Sequence, residues 1–150
     1  MDAFVGVVLV DDQEKIFLIK EDDKNKISQD RWNLPGGSVD GEESLIEAAE
    51  RETEEETGYK VEIKSLLGVY ECRKGDKSWL YVVFEARPLN RKTSPTDPEI
   101  KEGKWFNKDE FLHLGSSQIV HPDMQLVYRV VVEDKGLSID TVKLINYDLQ

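Results

Sequence analysis

The chain has 150 residues, 39% of them hydrophobic, and a formal net charge of -11. That length suits one globular domain over residues 1–150, burying roughly two-thirds of its unfolded surface. The negative field repels phosphates, which excludes a nucleic-acid polymer or an anionic membrane as an electrostatic partner and requires any anionic substrate to meet a local cation.

In chain order, alternation and β-branched density predict strands at Phe4 to Val10 and Ile16 to Lys20, joined as a hairpin by Asp11-Asp12-Gln13. The opening apolar run stops at Val10, lacks a basic leader and is too short for a signal peptide or a membrane span, so a cytoplasmic chain is expected. Asp22 to Asp30 reads as an exposed loop, and Arg31-Trp32-Asn33-Leu34 as a short extended piece halted by Pro35-Gly36-Gly37. Further strands are predicted at Val61 to Cys72 and Trp79 to Arg87, around a turn at Lys74-Gly75-Asp76-Lys77. Cys72 is the only cysteine, which excludes a disulfide within one chain and suits a reduced, packed thiol. Pro88 to Lys101 reads as a long surface loop, and Trp105-Phe106 restores a strand. Lys108 to Leu114 reads as a short helix capped by Asn107. Pro122 to Lys135 reads as a longer one that turns Leu126, Val127, Val130 and Val131 inward. Ile139 to Tyr147 is expected to form an edge strand.

The segment Asp40 to Gly58 carries the most information. Asp40 and Glu43 make a D-x-x-E capping arrangement and Gly58 supplies a stop, predicting a helix from Glu42 to Thr57. At about 100° per residue, Leu45, Ile46, Ala48, Ala49 and Thr53 share the half that faces the sheet. Glu47, Glu50 and Glu54 face water, whereas Glu52, Glu55 and Glu56 fall on the apolar side. A glutamate-rich helix is ordinarily a solvated face, and the angular position of these three sets them apart. Like charges three and four residues apart repel even in water, and burial makes ionised carboxylates costly unless a cation joins them. Oxygen-only donors select a hard cation, Mg²⁺ or Mn²⁺. Arg51 lies beside Glu55 and is placed to hold one carboxylate.

Gly37, five residues, Glu43, seven residues, then Arg51-Glu52-Thr53-Glu54-Glu55-Glu56-Thr57-Gly58-Tyr59 resembles the Nudix box, G-x5-E-x7-R-E-U-x-E-E-x-G-U with U a bulky aliphatic. Thr53 and Tyr59 replace aliphatic residues, a departure that bears on packing rather than on metal chemistry. Trp32-Asn33-Leu34-Pro35-Gly36-Gly37 is similar to the family's lead-in. Glu99-Ile100-Lys101-Glu102-Gly103-Lys104-Trp105-Phe106, followed by Asp109-Glu110-Phe111, resembles its acidic loop, strand and short helix. The resemblance runs from Phe4 to Tyr128 and implies the Nudix fold, an α/β/α sandwich with a mixed β-sheet.

Carried over residue by residue, the resemblance implies that Glu52, Glu55, Glu56 and the backbone carbonyl of Gly36 bind metal. It also implies that Arg51 and Glu43 orient the carboxylates, and that Glu99 or Glu102 binds a further metal or acts as general base. The implied reaction is Mg²⁺-dependent attack of water on a diphosphate-linked small molecule. Arg31, Arg73, Lys74 and Lys77 are candidates for phosphate contact, and Trp32, Trp79 and Tyr81 for stacking on a base or thiazole ring, against ordinary core packing for each aromatic. His113 and His121 lack metal-ligand spacing. The chain is similar to a subgroup acting on nucleoside di- and triphosphates and thiamine-type pyrophosphates. The alternatives are cleavage of ADP-ribose or a nucleotide sugar, a catalytically silent nucleotide-binding Nudix domain, and an acidic interaction module. A monomer and a homodimer both remain open.

Overall fold

The computed structural model describes residues 2–22, 30–90, 94–115, 117–120, 127–128, 132–133 and 136–139. Strands β1 (Asp2–Val10) and β2 (Ile16–Glu21) are antiparallel, as their alternation predicts. Their turn is closed by Asp11, whose Oδ1 accepts the N–H groups of Gln13 and Lys15 at 2.9 and 2.8 Å. The two strands pair only at Leu9–Phe17 and Val10–Ile16 and then part. Below the fork, β2 takes β3 (Trp32–Asn33), while β1 takes β4 (Gly36–Ser38). The chain from Trp32 to Ser38 therefore spans the fork, which is where the site forms.

Gly36 and Gly37 do not halt an extended piece, as the sequence suggested; they continue it as β4. Their role is close approach rather than turning. A Cβ on Gly36 would sit 2.1 Å from the carbonyl oxygen of Val5, and one on Gly37 would sit 2.5 Å from the carboxyl carbon of Glu52.

The other edge of β1 runs parallel to β6 (Lys77–Pro88), which pairs antiparallel with β5 (Val61–Lys74) around a turn with Gly75 at φ 63°. β7 (Ile100–Phe106) pairs with β2, and β8 (Leu137–Ser138) pairs with β5. The result is an eight-stranded mixed sheet with main order β3-β2-β1-β6-β5-β8. β7 begins well before the predicted Trp105-Phe106, because Lys101, Glu102 and Lys104 are exposed on a strand whose charged composition reads as loop.

Helix α1 (Leu45–Thr57) starts later than the predicted Glu42. Its cap is Ser44, whose hydroxyl accepts the Glu47 N–H while Glu47 bonds back to the Ser44 N–H. Asp40 and Glu43 instead close a turn ahead of the helix, the Asp40 N–H donating to Glu43 Oε1 at 2.8 Å. Gly58, at φ 79°, ends α1 in the left-handed region that glycine tolerates. Asn107 caps the short α2 (Lys108–Leu112) as expected.

Period-two alternation sends the strand side chains into two apolar layers. Val5, Val7, Leu9, Phe17, Ile19, Val82, Phe84 and Ala86 pack under Ala48 and Ala49 of α1. Val8, Val10, Ile16, Leu18, Val83 and Phe106 pack on the opposite face with Phe111 of α2 and Val127. Burying a side chain such as Phe84 stabilises the fold by roughly 1.5–3 kcal/mol. This is the α/β/α layering that the resemblance implied.

Of the predicted helix Pro122 to Lys135, Val127, Tyr128, Val132 and Glu133 are helical and Val127 is fully buried; Leu126, Val130 and Val131 lie outside the described residues. Of the strand expected from Ile139 to Tyr147, only Ile139 is described, outside any strand and packed on the α1-side layer; β8 lies just ahead of it, and 140–150 lie outside the described residues.

Candidate active site

α1 presents its glutamates as the wheel predicted. Glu47, Glu50 and Glu54 are exposed, Glu52 and Glu55 half-buried, and Glu56 only 4% exposed. The two departures from the Nudix pattern are absorbed by packing. Thr53 is fully buried and donates its hydroxyl to the Ala49 carbonyl at 2.6 Å. The Tyr59 ring packs edge-on against Phe17 and Trp105, and its hydroxyl accepts the Trp105 indole N–H at 3.2 Å.

Arg51 fastens the cluster. Its Nε and Nη2 donate to the two oxygens of Glu43 at 2.9 and 2.7 Å, a bidentate pair. Nη2 also donates to the Ser38 carbonyl at 3.1 Å, and Nη1 reaches Glu52 Oε1 at 3.0 Å and Glu55 Oε2 at 3.2 Å. The guanidinium holds the Glu43 carboxyl below the usual range. Burial pushes Glu52 up, and Arg51 opposes that shift.

Glu56 has a different anchor. The Gly36 N–H donates to its Oε1 at 2.8 Å. Burial nevertheless pushes its carboxyl up to about 9, aided by the negative charges of Glu52, Glu21 and Asp97. Glu21 and Asp97 were not singled out in the sequence. Glu21 has the same strand parity as Phe17 and Ile19, which turns it toward α1, so alternation alone pointed to it. Asp97 arrives by loop conformation: the Thr96 and Asp97 N–H groups donate to the Glu55 carbonyl at 2.9 and 3.0 Å, docking the β6–β7 loop on the last turn of α1.

The donor set suits a hard divalent cation. It consists of oxygens alone, and the buried Glu56 sits among acids in a setting that favours its neutral form, a penalty a cation removes. Among the described residues, no three of His, Cys, Asp and Glu converge as a preformed metal cage; Glu52 and Glu55 are held by Arg51 instead.

The remaining predicted residues fall in several places. Glu99 lies on the docked loop, its N–H donating to Asp97 Oδ1 and its carbonyl accepting the Asp22 N–H. Glu102 is opposite Lys20, 4.0 Å from its Nζ, and Lys20 lies over Trp32 on the sheet face away from α1. Trp32 is buried and edge-on to Phe106 at 4.8 Å. Trp79 and Tyr81 are half-buried on that same far face, where Tyr81 covers Gly6 and lies in register with Phe4 and Tyr70. Arg31 is half-buried beside Trp32. Arg73 is exposed on the β5–β6 arm, paired with Glu71. Lys74 and Lys77 flank the turn of that arm. The His113 Nδ1 lies 2.6 Å from the Asp109 carbonyl, and His121 is outside the described residues.

A strand fork bridged by two glycines beneath a glutamate-bearing helix defines a Nudix-type site, and the NUDIX domain family model matches residues 2–127. The chain belongs to the Nudix hydrolase family, whose members generally use divalent metal cations. It is 30% identical to an RNA pyrophosphohydrolase of Pelagibacter ubique over 73% of this chain and 78% of that one. It is 32% identical to the human 8-oxo-dGDP phosphatase over 68% of this chain. The chain spans 54% and 31% of the length of the two vertebrate relatives it matches. A NUDIX hydrolase structure from Nitrosomonas europaea superposes with a TM-score of 0.81 at 22% identity, over 96% of this chain and 97% of that one, and shares the fold. No helix among the described residues is long and apolar enough to cross a membrane.

Proposed function

We propose that this chain hydrolyses a phosphoanhydride bond in a small diphosphate-linked molecule, a nucleoside di- or triphosphate or a thiamine-type pyrophosphate, with Mg²⁺. The observation that carries the reading is the buried Glu56, anchored by the Gly36 N–H and surrounded by Glu52, Glu21 and Asp97. Glu52, Glu55, Glu56 and the Gly36 carbonyl are the groups that would hold the ion, with Mn²⁺ as a substitute. When bound, a divalent cation supplies charge neutralisation for the phosphates and lowers the pKa of water.

The chain's own residues do the rest. Arg51 fixes Glu52 and Glu55 through Glu43, so the acids keep one orientation before substrate arrives. Glu99, on the loop docked at the end of α1, takes the proton from the attacking water, and Glu102 is less suited because its carboxylate lies 4.0 Å from the Lys20 ammonium. Trp79 and Tyr81, half-exposed, are the ring surfaces that receive a base, and Arg31 contacts phosphate. Trp32 and Arg73 are less suited, the first being buried and the second paired on the arm. The net charge of -11 favours a small nucleotide over an RNA chain, since polymer binding scales with phosphate neutralisation.

The test is a panel of nucleoside di- and triphosphates, thiamine pyrophosphate, ADP-ribose and capped or triphosphorylated RNA, assayed with Mg²⁺ for product identity. Glu55→Gln serves as the control. Equal release by the wild type and Glu55→Gln would overturn the hydrolase reading, and preferred cleavage of ADP-ribose would move the substrate class to nucleotide sugars.

A further inference from the structure

Among the described residues, the outer edge of β5 is covered only in part. β8 meets β5 only at Ser65 and Leu66, so among the described residues nothing pairs with that edge from Gly68 to Lys74. An uncovered edge is a template for another strand. This one carries Val69, a large apolar side chain 56% exposed. Alternation places Tyr70, Cys72 and Lys74 on the face shared with Trp79 and Tyr81, and Val69, Glu71 and Arg73 on the other.

We infer that this edge takes a second copy of the same chain, antiparallel, in the register that sets Cys72 against Cys72. A two-fold axis perpendicular to the sheet keeps each face with its like, so only registers centred on a residue are allowed. Centring on Tyr70 would bring Lys74 opposite Leu66, a position already paired with Leu137. Centring on Glu71 sets glutamate against glutamate, and centring on Arg73 sets arginine against arginine, both unfavourable for directly opposed residues. Centring on Cys72 sets Glu71 opposite Arg73 twice and Tyr70 opposite Lys74 twice. It also brings the turn at Gly75 level with Val69, short of the occupied stretch at Leu66.

The occupied stretch at Leu66 and the like-charge oppositions thus leave one register of the four. Within one chain Arg73 and Glu71 already pair at 2.6 Å with side chains 74% and 51% exposed, so exchanging partners across the axis breaks no buried contact. Strands this short bury less than the roughly 1,200 Å² of a stable complex, so the association is weak and grows with concentration. It does not depend on the proposed chemistry.

Sedimentation velocity of the full chain under reducing conditions, from micromolar to millimolar, should show a rising mean mass. Glu71→Arg should abolish the rise, and adding Arg73→Glu should restore it. Mild oxidation should link wild-type chains through Cys72. In a Cys72→Ser background, a Glu71→Cys chain should link to an Arg73→Cys chain and not to itself. Any of three results overturns the inference: a monomer at every concentration, a rise that Glu71→Arg leaves intact, or Glu71→Cys chains that link to each other as fast as wild type.

Discussion

The two faces of the sheet around β1 and β4 do different physical work. On the α1 face the side chains are charged and fastened: Arg51 grips Glu43, Glu52 and Glu55, and Gly36 grips Glu56. On the far face, at the same end of β1, Phe4, Tyr70, Trp79 and Tyr81 leave aromatic surface partly exposed and carry no formal charge. Glycines make both arrangements fit. A Cβ on Gly37 would strike the Glu52 carboxylate, and one on Gly6 would strike the Tyr81 hydroxyl at 2.1 Å. On the proposed function, chemistry and recognition fall on opposite faces of the same strand pair, which makes them separable by mutation.

The comparison is sharpened most by pH in the absence of metal. The Glu56 carboxyl is raised to about 9 from an ordinary value of 4.5, so the unfolded chain gives up this proton first and the fold binds more protons between those values. The contribution of Glu56 to stability is therefore full below about pH 4.5 and is lost as pH rises toward 9. In chelator, urea unfolding should show stability falling on the order of 1 kcal/mol per pH unit between about pH 5 and pH 8 from this group. Glu56→Gln should flatten that slope and Mg²⁺ should reduce it. A slope unchanged by Glu56→Gln would remove the buried acid from the account.

Next in size is Gly37→Ala. The new methyl displaces a flexible carboxylate rather than backbone, so the fold should survive while kcat drops about 100-fold, the scale expected when a reacting group is moved by about 1 Å. Gly6→Ala is its counterpart across the sheet. Tilting Tyr81 should raise KM roughly 10-fold for a base-bearing substrate, the scale of one lost stacking contact, and leave kcat nearly intact. If the two variants changed the same kinetic parameter, the division between faces would fail. Arg51→Lys should lower stability by about 2 kcal/mol in thermal or urea unfolding, because an ammonium cannot keep the forked bonds to Glu43 while also reaching Glu52. A smaller loss than for a surface ion pair would show that Arg51 is not the clamp.

Much of this was legible in the residues, because it follows from fixed periodicities. Period two placed the strand residues in their layers, and the helical angle turned Glu52, Glu55 and Glu56 inward while Glu47, Glu50 and Glu54 faced water. The helix start was ambiguous because two capping patterns overlap, Asp40 with Glu43 and Ser44 with Glu47. Glu43 is taken by Arg51, a contact across eight residues that no local rule supplies. The path of Pro35-Gly36-Gly37 was misread because glycine that permits close approach and glycine that permits a turn look alike in a sequence. Asp97 was invisible, since only the docked loop brings it near Glu56.

The smallest expected effect discriminates between two residues that the sequence left equivalent. Glu99 and Glu102 are three apart in an acidic segment, and the face that Glu102 takes depends on a β-bulge. β2 and β7 slip register between Lys20 and Glu21, so that Glu102 pairs with Lys20 while Ile100 pairs with Glu21. The slip leaves Ile100 on the α1-side layer and turns Glu102 to the far face, where its partner is a lysine 4.0 Å away. An exposed pair at that distance contributes at most about 0.2–1 kcal/mol. Glu102→Gln should therefore leave kcat within about two-fold of wild type, whereas Glu99→Gln should remove a proton acceptor worth about 100-fold or more. A large loss at Glu102 with little at Glu99, read from steady-state kinetics at one Mg²⁺ concentration, would mean that the bulge is not maintained in the working enzyme and that the far face takes part in the chemistry.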